Sequence, residues 1–342
     1  MATHPLSEFL PRLVRREDLS REEAFDLLEA LLDAEATDAQ ISGALVALAA
    51  KGETVAELTG MAEGLRSRAV RVISKHDCFI DTAGTGSSRA KTFNISTAAA
   101  FVIAGAGLPV AKHGNRAASS KSGSADLLTA LGVNVSAIPL VSENALNEIG
   151  ICFMFAPLFH GATARVAGIR RQLGIHTTFN LLGPLSNPAG APRQIIGVWR
   201  KDLGEKLAQV LSRLGTERAW VVHGEDGLDE ITLAGKTHVA EAQNGDVKTF
   251  EIGPEDFGFD VGRIEHLRGG DTDANAEIVS GVLSGERKDE ARALVIMNAA
   301  AALFLGGAAD DLREGARLAA NAIDSGEAMR KLDLLIEATS GP

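Results

Sequence analysis

A segment rich in cations, hydroxyls and glycines lies within an otherwise acidic chain. The 342-residue chain has a formal net charge of −11, yet residues 82–125 contain no Asp or Glu. The cations of this segment are Arg89, Lys91, Lys112, Arg116 and Lys121. A glycine turn occupies residues 84–88, and small hydroxyl residues fill 119–124. Glycines expose backbone N–H groups, and hydroxyl and ammonium groups add donors. The segment therefore predicts a pocket for phosphate or diphosphate. The alternative is a tight turn followed by a solvated basic face.

Polar residues at a predicted helix start strengthen the anion interpretation. Asn94, Ser96 and Thr97 precede an apolar helical pattern. Helix N-termini attract anions through their unpaired N–H groups and the helix dipole. Simple capping by Asn94 or Ser96 is the alternative. The turn that begins at Gly84 lacks the third glycine of the dinucleotide fingerprint and the Gly-Lys-Ser/Thr of a P-loop, so it is a weak signal by itself.

A second polar turn follows a short apolar stretch, Val110-Ala111. Residues 112–116 read Lys-His-Gly-Asn-Arg and lie close in sequence to the hydroxyl run at 119–124. We expect this turn to form a second wall of the same pocket. A solvated turn is the alternative.

Asp229 and Glu230 form an adjacent carboxylate pair after a glycine-bearing loop, residues 223–228. Mg²⁺ in proteins prefers one or two carboxylates together with water and substrate oxygens. Beside a diphosphate pocket, the pair would supply those carboxylates. In another context, such a pair is usually just solvated.

Arg170 and Arg171 lie in a predicted helix at residues 164–173. An arginine that faces the pocket could bind a substrate carboxylate in bidentate fashion, although at least one of the two is expected to be a surface residue. The role of His160 stays open, and packing is the better interpretation of His176.

The elements that position these residues follow from capping and periodicity. The first 70 residues contain three capping boxes, Ser20 with Glu23, Thr37 with Gln40, and Thr54 with Glu57, each opening an apolar helical pattern. From Cys78 onward, predicted strands at 78–80, 110–111, 133–135, 195–199 and 219–222 alternate with predicted helices at 98–106, 125–131 and 203–214. The part from about 273 to 337 is alanine-rich and helical.

This alternation predicts an α/β fold, a mainly parallel sheet flanked by helices, with a small all-helical domain. We expect the helical domain at residues 1–72 and an interrupted α/β domain at 73–342, with a segment near 164–190 joining the helical domain. Ligands of such sheets bind where strands end, and the turns at Gly84 and Lys112 lie at those positions.

Composition excludes several classes. Cys78 and Cys152 are the only cysteines, too few for a disulfide framework or a metal-ligand cluster. The N-terminal residues lack a signal-peptide core, and no stretch is typical of a membrane helix. We therefore expect a cytoplasmic protein with no membrane partner. The acidic balance argues against a nucleic-acid partner.

At this point the motifs identify a resemblance to the anthranilate phosphoribosyltransferase family, the second step of tryptophan biosynthesis. It runs from about Leu6 to Glu337. The matching segments are residues 84–86, 92–97, 112–116, 119–126 and 179–188, and residues 223–224 together with 227–231.

The resemblance implies a glycosyltransferase that joins the amine of anthranilate to C1 of the ribose of phosphoribosyl pyrophosphate (PRPP) and releases diphosphate. It implies a homodimer through the helical domain. It assigns to PRPP Gly84, Ser87, Ser88, Thr92, Asn94, Ile95, Ser96, Thr97, Lys112, His113, Gly114, Asn115 and Ser124. It assigns to anthranilate Gly84, His113, Asn115 and Arg170, and to Mg²⁺ Ser96, Asp229 and Glu230. No side chain is assigned as nucleophile or general acid–base.

The chain departs from the family pattern at the first turn. Where the family has Gly-Thr-Gly-Gly-Asp, this chain has Gly-Thr-Gly-Ser-Ser, followed by Arg89 and Lys91. A negative group near the diphosphate is thereby lost, and two cations are added. We expect Arg89 to take over part of the metal's role in holding diphosphate. The alternative is that both cations are solvated.

Three rival functions remain open from the residues. A nucleoside phosphorylase of the same fold would use the same glycine turn for phosphate. The Asp229-Glu230 pair and the arginine helix favour the transferase over it. A transferase for another aromatic amine is possible, because one arginine does not define a ring. A non-catalytic relative that binds nucleic acid is disfavoured by the acidic balance.

Overall fold

The computed structural model describes residues 4–86, 92–117, 122–264, 267 and 269–341. Within the first 70 of them, the chain forms helices, as predicted: α1 (Leu6–Val14), α2 (Arg21–Leu32), α3 (Asp38–Lys51) and α4 (Val55–Ser67). The three predicted capping boxes open α2, α3 and α4. Each satisfies helix-start N–H groups that would otherwise have no partner.

Seven described strands form one sheet in the order β3-β2-β1-β4-β5-β6-β7. They are β1 (Ile80–Gly84), β2 (Val110–Gly114), β3 (Ile151–Phe155), β4 (Arg193–Gly197), β5 (Arg218–Gly224), β6 (Thr237–Gln243) and β7 (Asp246–Ile252). The first five in this order are parallel, and β6 and β7 are antiparallel. The predicted mainly parallel sheet is confirmed.

The prediction of a strand at residues 133–135 is wrong. Val133 and Val135 are buried, but Val135 N–H donates to the Val133 carbonyl at 3.0 Å in a tight turn that follows a helix. Short runs of β-branched residues fit any buried backbone, so burial alone does not make a strand. The third parallel strand is β3, at residues 151–155.

Helices cover both faces of the sheet. They are α5 (Ile95–Gly105), α6 (Ser124–Ala130), α7 (Pro139–Ile149), α8 (Ala156–Phe159), α9 (Ala164–Leu173), α10 (Thr178–Leu185), α11 (Leu203–Arg213), α12 (Thr272–Leu283), α13 (Glu290–Leu305), α14 (Leu312–Asp324) and α15 (Glu327–Thr339). Short 3₁₀ turns occupy Gly161–Thr163 and Pro254–Phe257. None of the described helices has the length and apolar composition needed to cross a membrane.

Two apolar cores lie on the two sides of the sheet. One contains the buried side chains of α5 and α13, together with the C-terminal helices. The other begins in the N-terminal helices and continues through α9, α10 and α11 to Ile196 and Val198. Arg66 of α4 donates to the Leu185 carbonyl at the end of α10 (2.7 Å). The helix α10 is therefore held between the N-terminal helices and the sheet.

Candidate active site

The carboxyl ends of four neighbouring parallel strands lie at the same end of the sheet. β1 ends at Gly84, β2 at Gly114, β4 at Gly197 and β5 at Gly224. Strand order reverses direction between β1 and β4. In open α/β sheets, ligands bind in the crevice at such a switch point. The predicted turn at Gly84 opens from this end of the sheet. The turn predicted to begin at Lys112 is wrong in its start, because Lys112 and His113 are buried and paired with β3 inside β2, so the chain leaves the sheet only after Gly114.

Close backbone packing holds the carboxylate loop against the Gly84 turn. A Cβ atom on Gly197 would lie 1.6 Å from the Asp229 carbonyl oxygen, so only glycine fits there. Thr85 donates from N–H and Oγ1 to the Gly197 carbonyl, at 2.9 and 3.0 Å. The Asp229 carboxylate lies 3.8 Å from the Cβ position of Gly84. The loop of Asp229 and Glu230 thus meets the first glycine turn.

Glu230 meets the start of α5, where its Oε1 accepts from Ser96 N–H at 3.2 Å. Burial raises the pKa of the Glu230 carboxyl, and the neighbouring Asp229 raises it further. The Asn94 side chain does not cap this helix. Its Nδ2 donates to the Ser122 carbonyl at 3.3 Å, and its Oδ1 accepts from Asn275 Nδ2 at 3.3 Å. The helix start is therefore oriented by Glu230 rather than by a local cap.

Lys112 points into the same corner. Its side chain is 4% exposed, and Nζ donates to the Thr82 carbonyl and lies 3.4 Å from Ser96 Oγ. Burial lowers the pKa of the Lys112 ammonium, whereas Asp81 and Glu230 act in the opposite direction. An ammonium, a helix N-terminus and a carboxylate pair are thus brought together. We call Ser96, Lys112, Asp229 and Glu230 the phosphate wall.

The end of β2 is packed against the start of α6. A Cβ on Gly114 would lie 2.2 Å from Ser124 Oγ. Ser124 Oγ donates to the Asn115 carbonyl at 3.3 Å. Asp126 accepts from Ala117 N–H (2.9 Å) and Gly123 N–H (3.0 Å), so it joins both ends of this loop. Ser124 and Asn115 therefore lie together beside Gly114, as predicted for one pocket wall.

Side chains of β2 alternate between the two faces of the sheet. Lys112 lies toward α5, and the next residue, His113, lies toward α10, where its Nδ1 donates to the Gly183 carbonyl (3.2 Å). His160 Nε2 donates to the Ser186 carbonyl at 3.1 Å, and the two imidazole rings are 5.1 Å apart. The crevice therefore extends over both faces.

Both imidazoles are neutral. Burial is the main cause that lowers the pKa of His113 to about 3 and that of His160 to about 4. Each donates through one ring nitrogen to a carbonyl, so the other nitrogen is a hydrogen-bond acceptor. Those acceptors, His113 Nε2 and His160 Nδ1, are buried and have no partner within the described residues. His160, left open by the sequence, thus packs beside a predicted site residue.

Arg170 extends from α9, the helix predicted at 164–173, and is partly buried. Its Nη2 donates to Asn180 Oδ1 at 3.0 Å, and its Cζ lies 5.6 Å from the centre of the Phe179 ring. Desolvation lowers the pKa of the guanidinium. Arg171 is exposed, as expected for one of the pair. We call His113, His160 and Arg170 the acceptor wall.

Other predicted residues take more varied positions. Thr97 is buried on α5, and the Ile95 side chain is 1% exposed in the apolar core, so only its backbone is available to a ligand. The Thr92 carbonyl packs against Gly269, where a Cβ would lie 2.3 Å away. Asn115 Oδ1 accepts from Arg116 N–H at 2.8 Å. Ser87, Ser88, Arg89, Lys91 and Lys121 lie outside the described residues.

Asp81 is a buried residue that the sequence analysis did not single out. Its Oδ1 accepts from His113 N–H (3.1 Å), and its Oδ2 accepts from Asn187 Nδ2 (2.7 Å). Burial raises the pKa of this carboxyl to about 6. The signal for it in the sequence is a single acidic residue directly after the short predicted strand, within the segment that becomes β1. Within the described residues, no group of three or more His, Cys, Asp or Glu side chains is arranged for a metal.

Comparisons with known proteins cover nearly the whole chain. Residues 7–69 match the family model described as "Glycosyl transferase family, helical bundle domain", and residues 76–329 match "Glycosyl transferase family, a/b domain". The chain is 50% identical over 333 residues to the anthranilate phosphoribosyltransferase of Desulfosudis oleivorans, covering 97% of this chain and 98% of the relative. It is 52% identical over 324 residues to that of Rhodospirillum rubrum, covering 95% and 93%.

Solved structures agree with these matches. The anthranilate phosphoribosyltransferase of Thermus thermophilus superposes with a TM-score of 0.90 at 38% identity, over 97% of this chain and 99% of that one. The Saccharomyces cerevisiae enzyme in complex with PRPP and Mg gives a TM-score of 0.90 at 28% identity, over 99% of each chain. The same yeast protein in complex with 4-fluoroanthranilate gives 0.87 at 27% identity, over 98% of each chain.

Proposed function

This chain belongs to the anthranilate phosphoribosyltransferase family, and from that premise we propose that it transfers the phosphoribosyl group of PRPP to anthranilate. The products are N-(5-phosphoribosyl)anthranilate and diphosphate, and the reaction is the second step of tryptophan biosynthesis from chorismate. The observation that carries the proposal is the meeting of Lys112, the α5 N-terminus and Glu230 at the switch point of the sheet.

PRPP fits the phosphate wall by charge and by donor type. The Lys112 ammonium and the N–H groups at the start of α5 are donors for phosphate oxygens. We place the remaining PRPP contacts on Gly84, Thr92, Asn94, Gly114 and Ser124, which surround this corner. Thr97 and the backbone of Ile95 complete the α5 end. Ser87 and Ser88 of the first turn are kept as predicted contacts.

The donor set of the phosphate wall fits Mg²⁺. Asp229 and Glu230 place two carboxylates next to each other, and the proximity of Asp229 raises the pKa of the Glu230 carboxyl. A hard cation would remove that repulsion, and Mg²⁺ is held in proteins by one or two carboxylates plus phosphate oxygens. We propose that Asp229 and Glu230, with Ser96 Oγ, hold Mg²⁺. When bound, the ion would supply positive charge to the departing diphosphate. The yeast relative crystallised with PRPP and Mg supports this use.

Anthranilate fits the acceptor wall. Its carboxylate would pair with Arg170, whose partly desolvated guanidinium carbon lies 5.6 Å from the centre of the Phe179 ring. Its amine would lie toward His113 and Asn115 at the end of β2. The yeast complex with 4-fluoroanthranilate supports a substituted anthranilate as the second substrate of this family.

The chemistry follows from the two walls. A new bond forms between the amine nitrogen of anthranilate and C1 of the ribose, and the bond from C1 to the diphosphate oxygen breaks. Diphosphate leaves with the bonding electrons, and the amine releases a proton. An aryl amine is itself a nucleophile, so a strong base is not required before attack. The protein contributes positioning and electrostatic stabilisation of the leaving charge.

We infer a helical domain at residues 1–72 and an interrupted α/β domain at 73–342. Residues near 164–190 pack into the helical part, since Val166 and Phe179 share its core.

We also infer a cytoplasmic homodimer formed through the helical domain. Val14 and Val46 are exposed there, at 72% and 42%. Light scattering of the purified protein tests the dimer.

The function is tested by a panel of substrates. Purified protein with Mg²⁺ is incubated with PRPP and anthranilate, and in parallel with phosphate and inosine, uridine or thymidine. We expect turnover of the first pair only. Turnover of a nucleoside with phosphate, without turnover of PRPP and anthranilate, would instead support the phosphorylase alternative.

A further inference from the structure

Asn180 is the hydrogen-bond partner of the Arg170 side chain within the part of the chain that is described. Its Oδ1 accepts from Arg170 Nη2 at 3.0 Å and from Thr177 N–H at 3.0 Å. The second bond ties the carboxamide oxygen to the backbone just before α10. The oxygen that holds the guanidinium is therefore fixed to the helix start and does not follow a mobile side chain.

The other surroundings of Arg170 determine which edge of the guanidinium a ligand can reach. Nε is buried and lacks a hydrogen-bond partner among the described residues. The Phe179 ring lies 5.6 Å from Cζ. A carboxylate that binds in bidentate fashion uses two parallel N–H groups. With Nε enclosed, the pair that remains for such binding is at the Nη edge, whose rotation is set by Asn180.

A neutral partner matters as much as its position. No carboxylate forms an ion pair with Arg170 in the described residues. A carboxamide oxygen orients the guanidinium without neutralising it, so the full positive charge remains for a substrate carboxylate. An aspartate at residue 180 could accept the same two hydrogen bonds, but it would compete for that charge.

We propose that Asn180 is a positioning residue that sets the specificity for a carboxylate-bearing acceptor, by holding Arg170 in place without pairing its charge. This inference rests on the proposed function. It adds a residue that acts through Arg170 and that touches no reacting atom.

The decisive variants are Asn180→Asp and Asn180→Ala. Asn180→Asp keeps both acceptor contacts but adds a negative charge that competes for Arg170. We expect it to raise the KM for anthranilate about tenfold or more, which is the typical effect of losing a hydrogen bond to a charged group. The KM for PRPP should stay within about twofold. With anthranilamide, the uncharged carboxamide analogue, kcat/KM should change by less than about threefold. Asn180→Ala should raise the KM for anthranilate by about fivefold.

Thr178→Val is the matched control. Thr178 lies on the same helix and its Oγ1 donates to Glu53, away from Arg170. We expect its KM for anthranilate to stay close to wild type. An unchanged KM for anthranilate in Asn180→Asp would overturn the proposal, and so would equal shifts in Asn180→Asp and Thr178→Val. If the wild-type protein does not use anthranilate at all, the proposed function itself has failed.

Discussion

The charged groups of the phosphate wall share contacts at Ser96, whereas the acceptor wall leaves buried polar atoms without partners among the described residues. Lys112 and Glu230 both contact Ser96 at the start of α5. Across the sheet, His113 Nε2, His160 Nδ1 and Arg170 Nε are buried and have no partner among the described groups. In the first arrangement, an ammonium and a carboxylate contact the same serine, and we expect both contacts to change when phosphate and a metal bind. The second holds its imidazole and guanidinium groups in place through neutral carbonyl and carboxamide oxygens.

The difference follows from the two faces of one strand. Lys112 and His113 are consecutive in β2, so they point to opposite faces. One face is covered by α5, whose N-terminus favours anions. The other is covered by α10, whose carbonyls at Gly183 and the following Ser186 fix the two imidazoles. We therefore propose that the crevice at the strand ends binds a phosphorylated sugar on one side and an aromatic acid on the other.

The largest effect is expected at Lys112. Lys112→Met removes the buried ammonium while keeping an apolar chain of similar length. Removing a preorganised electrostatic donor costs about 100-fold or more in rate, so kcat/KM for PRPP should fall by that amount. Steady-state kinetics with varied PRPP measures it. Lys206→Met is the control, because Lys206 Nζ donates to the Glu53 carbonyl (2.7 Å) away from the crevice. Equal losses in both variants would remove Lys112 from the phosphate wall.

Arg170→Ala should act on the other substrate. Losing a charged hydrogen-bonding partner costs about 1.5–3 kcal/mol, roughly 10- to 150-fold in KM for anthranilate. The KM for PRPP should change far less. Arg171→Ala, at the exposed neighbour, provides the baseline for both constants. Similar effects on the two substrates would reject the separation of the walls.

The neutral histidines predict a pH dependence of stability. The pKa of His160 is about 4 in the folded chain, against the usual 6.5. Between these two values the imidazole is protonated in the unfolded chain and neutral in the folded chain. The free energy of unfolding therefore decreases as pH falls, by about 2 kcal/mol at pH 5 for this group. His113 contributes with the same sign, since its pKa is about 3. Asp81, with a pKa of about 6, contributes with the opposite sign between pH 6 and 4.

A variant of His160 isolates the contribution of this residue to the pH dependence of stability. His160→Gln keeps a donor in place of Nε2 and cannot take up a proton. We expect urea unfolding at pH 7 and pH 5 to show a smaller loss of stability in this variant than in wild type. Parallel losses in the two proteins would mean that His160 is not held neutral.

The metal proposal predicts an absolute need for a divalent cation. Asp229→Asn and Glu230→Gln should each raise the Mg²⁺ concentration for half-maximal activity about tenfold, because each removes one carboxylate ligand. Activity assays across a Mg²⁺ series measure this. Asp226→Asn, in the same loop but bonded to Thr232, is the matched control. Full activity in excess chelator would contradict the metal role.

The smallest effect concerns Arg89, in the turn where this chain departs from its family. If Arg89 contacts diphosphate, Arg89→Ala should weaken PRPP binding by more than about 1 kcal/mol. Anthranilate binding should stay nearly unchanged. Calorimetric titration of PRPP with and without Mg²⁺ tests this. A dissociation constant that is unchanged under both conditions would show that the arginine is only a solvated loop charge.

Local chemistry explains what the sequence could predict. The capping boxes of α2, α3 and α4 depend on residues three positions apart, and all three form. The helix at residues 164–173 was predicted with its bounds. The hairpin of β6 and β7 was missed, although Asn244-Gly245 between them is a typical two-residue turn.

Long-range partners explain what the sequence could not predict. Asp81 is paired with Asn187, which lies 106 residues away in the chain. The neutrality of His113 depends on burial and on the Gly183 carbonyl, 70 residues away. The role of Asn180 becomes visible only when α9 and α10 pack together. Such contacts are created by the tertiary fold, and spacing in one sequence does not reveal them.

The most direct test of the account is the stoichiometry of the transfer. The purified chain is incubated with PRPP, anthranilate and Mg²⁺, and the amine-linked phosphoribosyl product and diphosphate are quantified together. The account predicts that both form in equal amounts, and only when both substrates are present. Release of diphosphate without the amine-linked product, or no consumption of anthranilate, would contradict it.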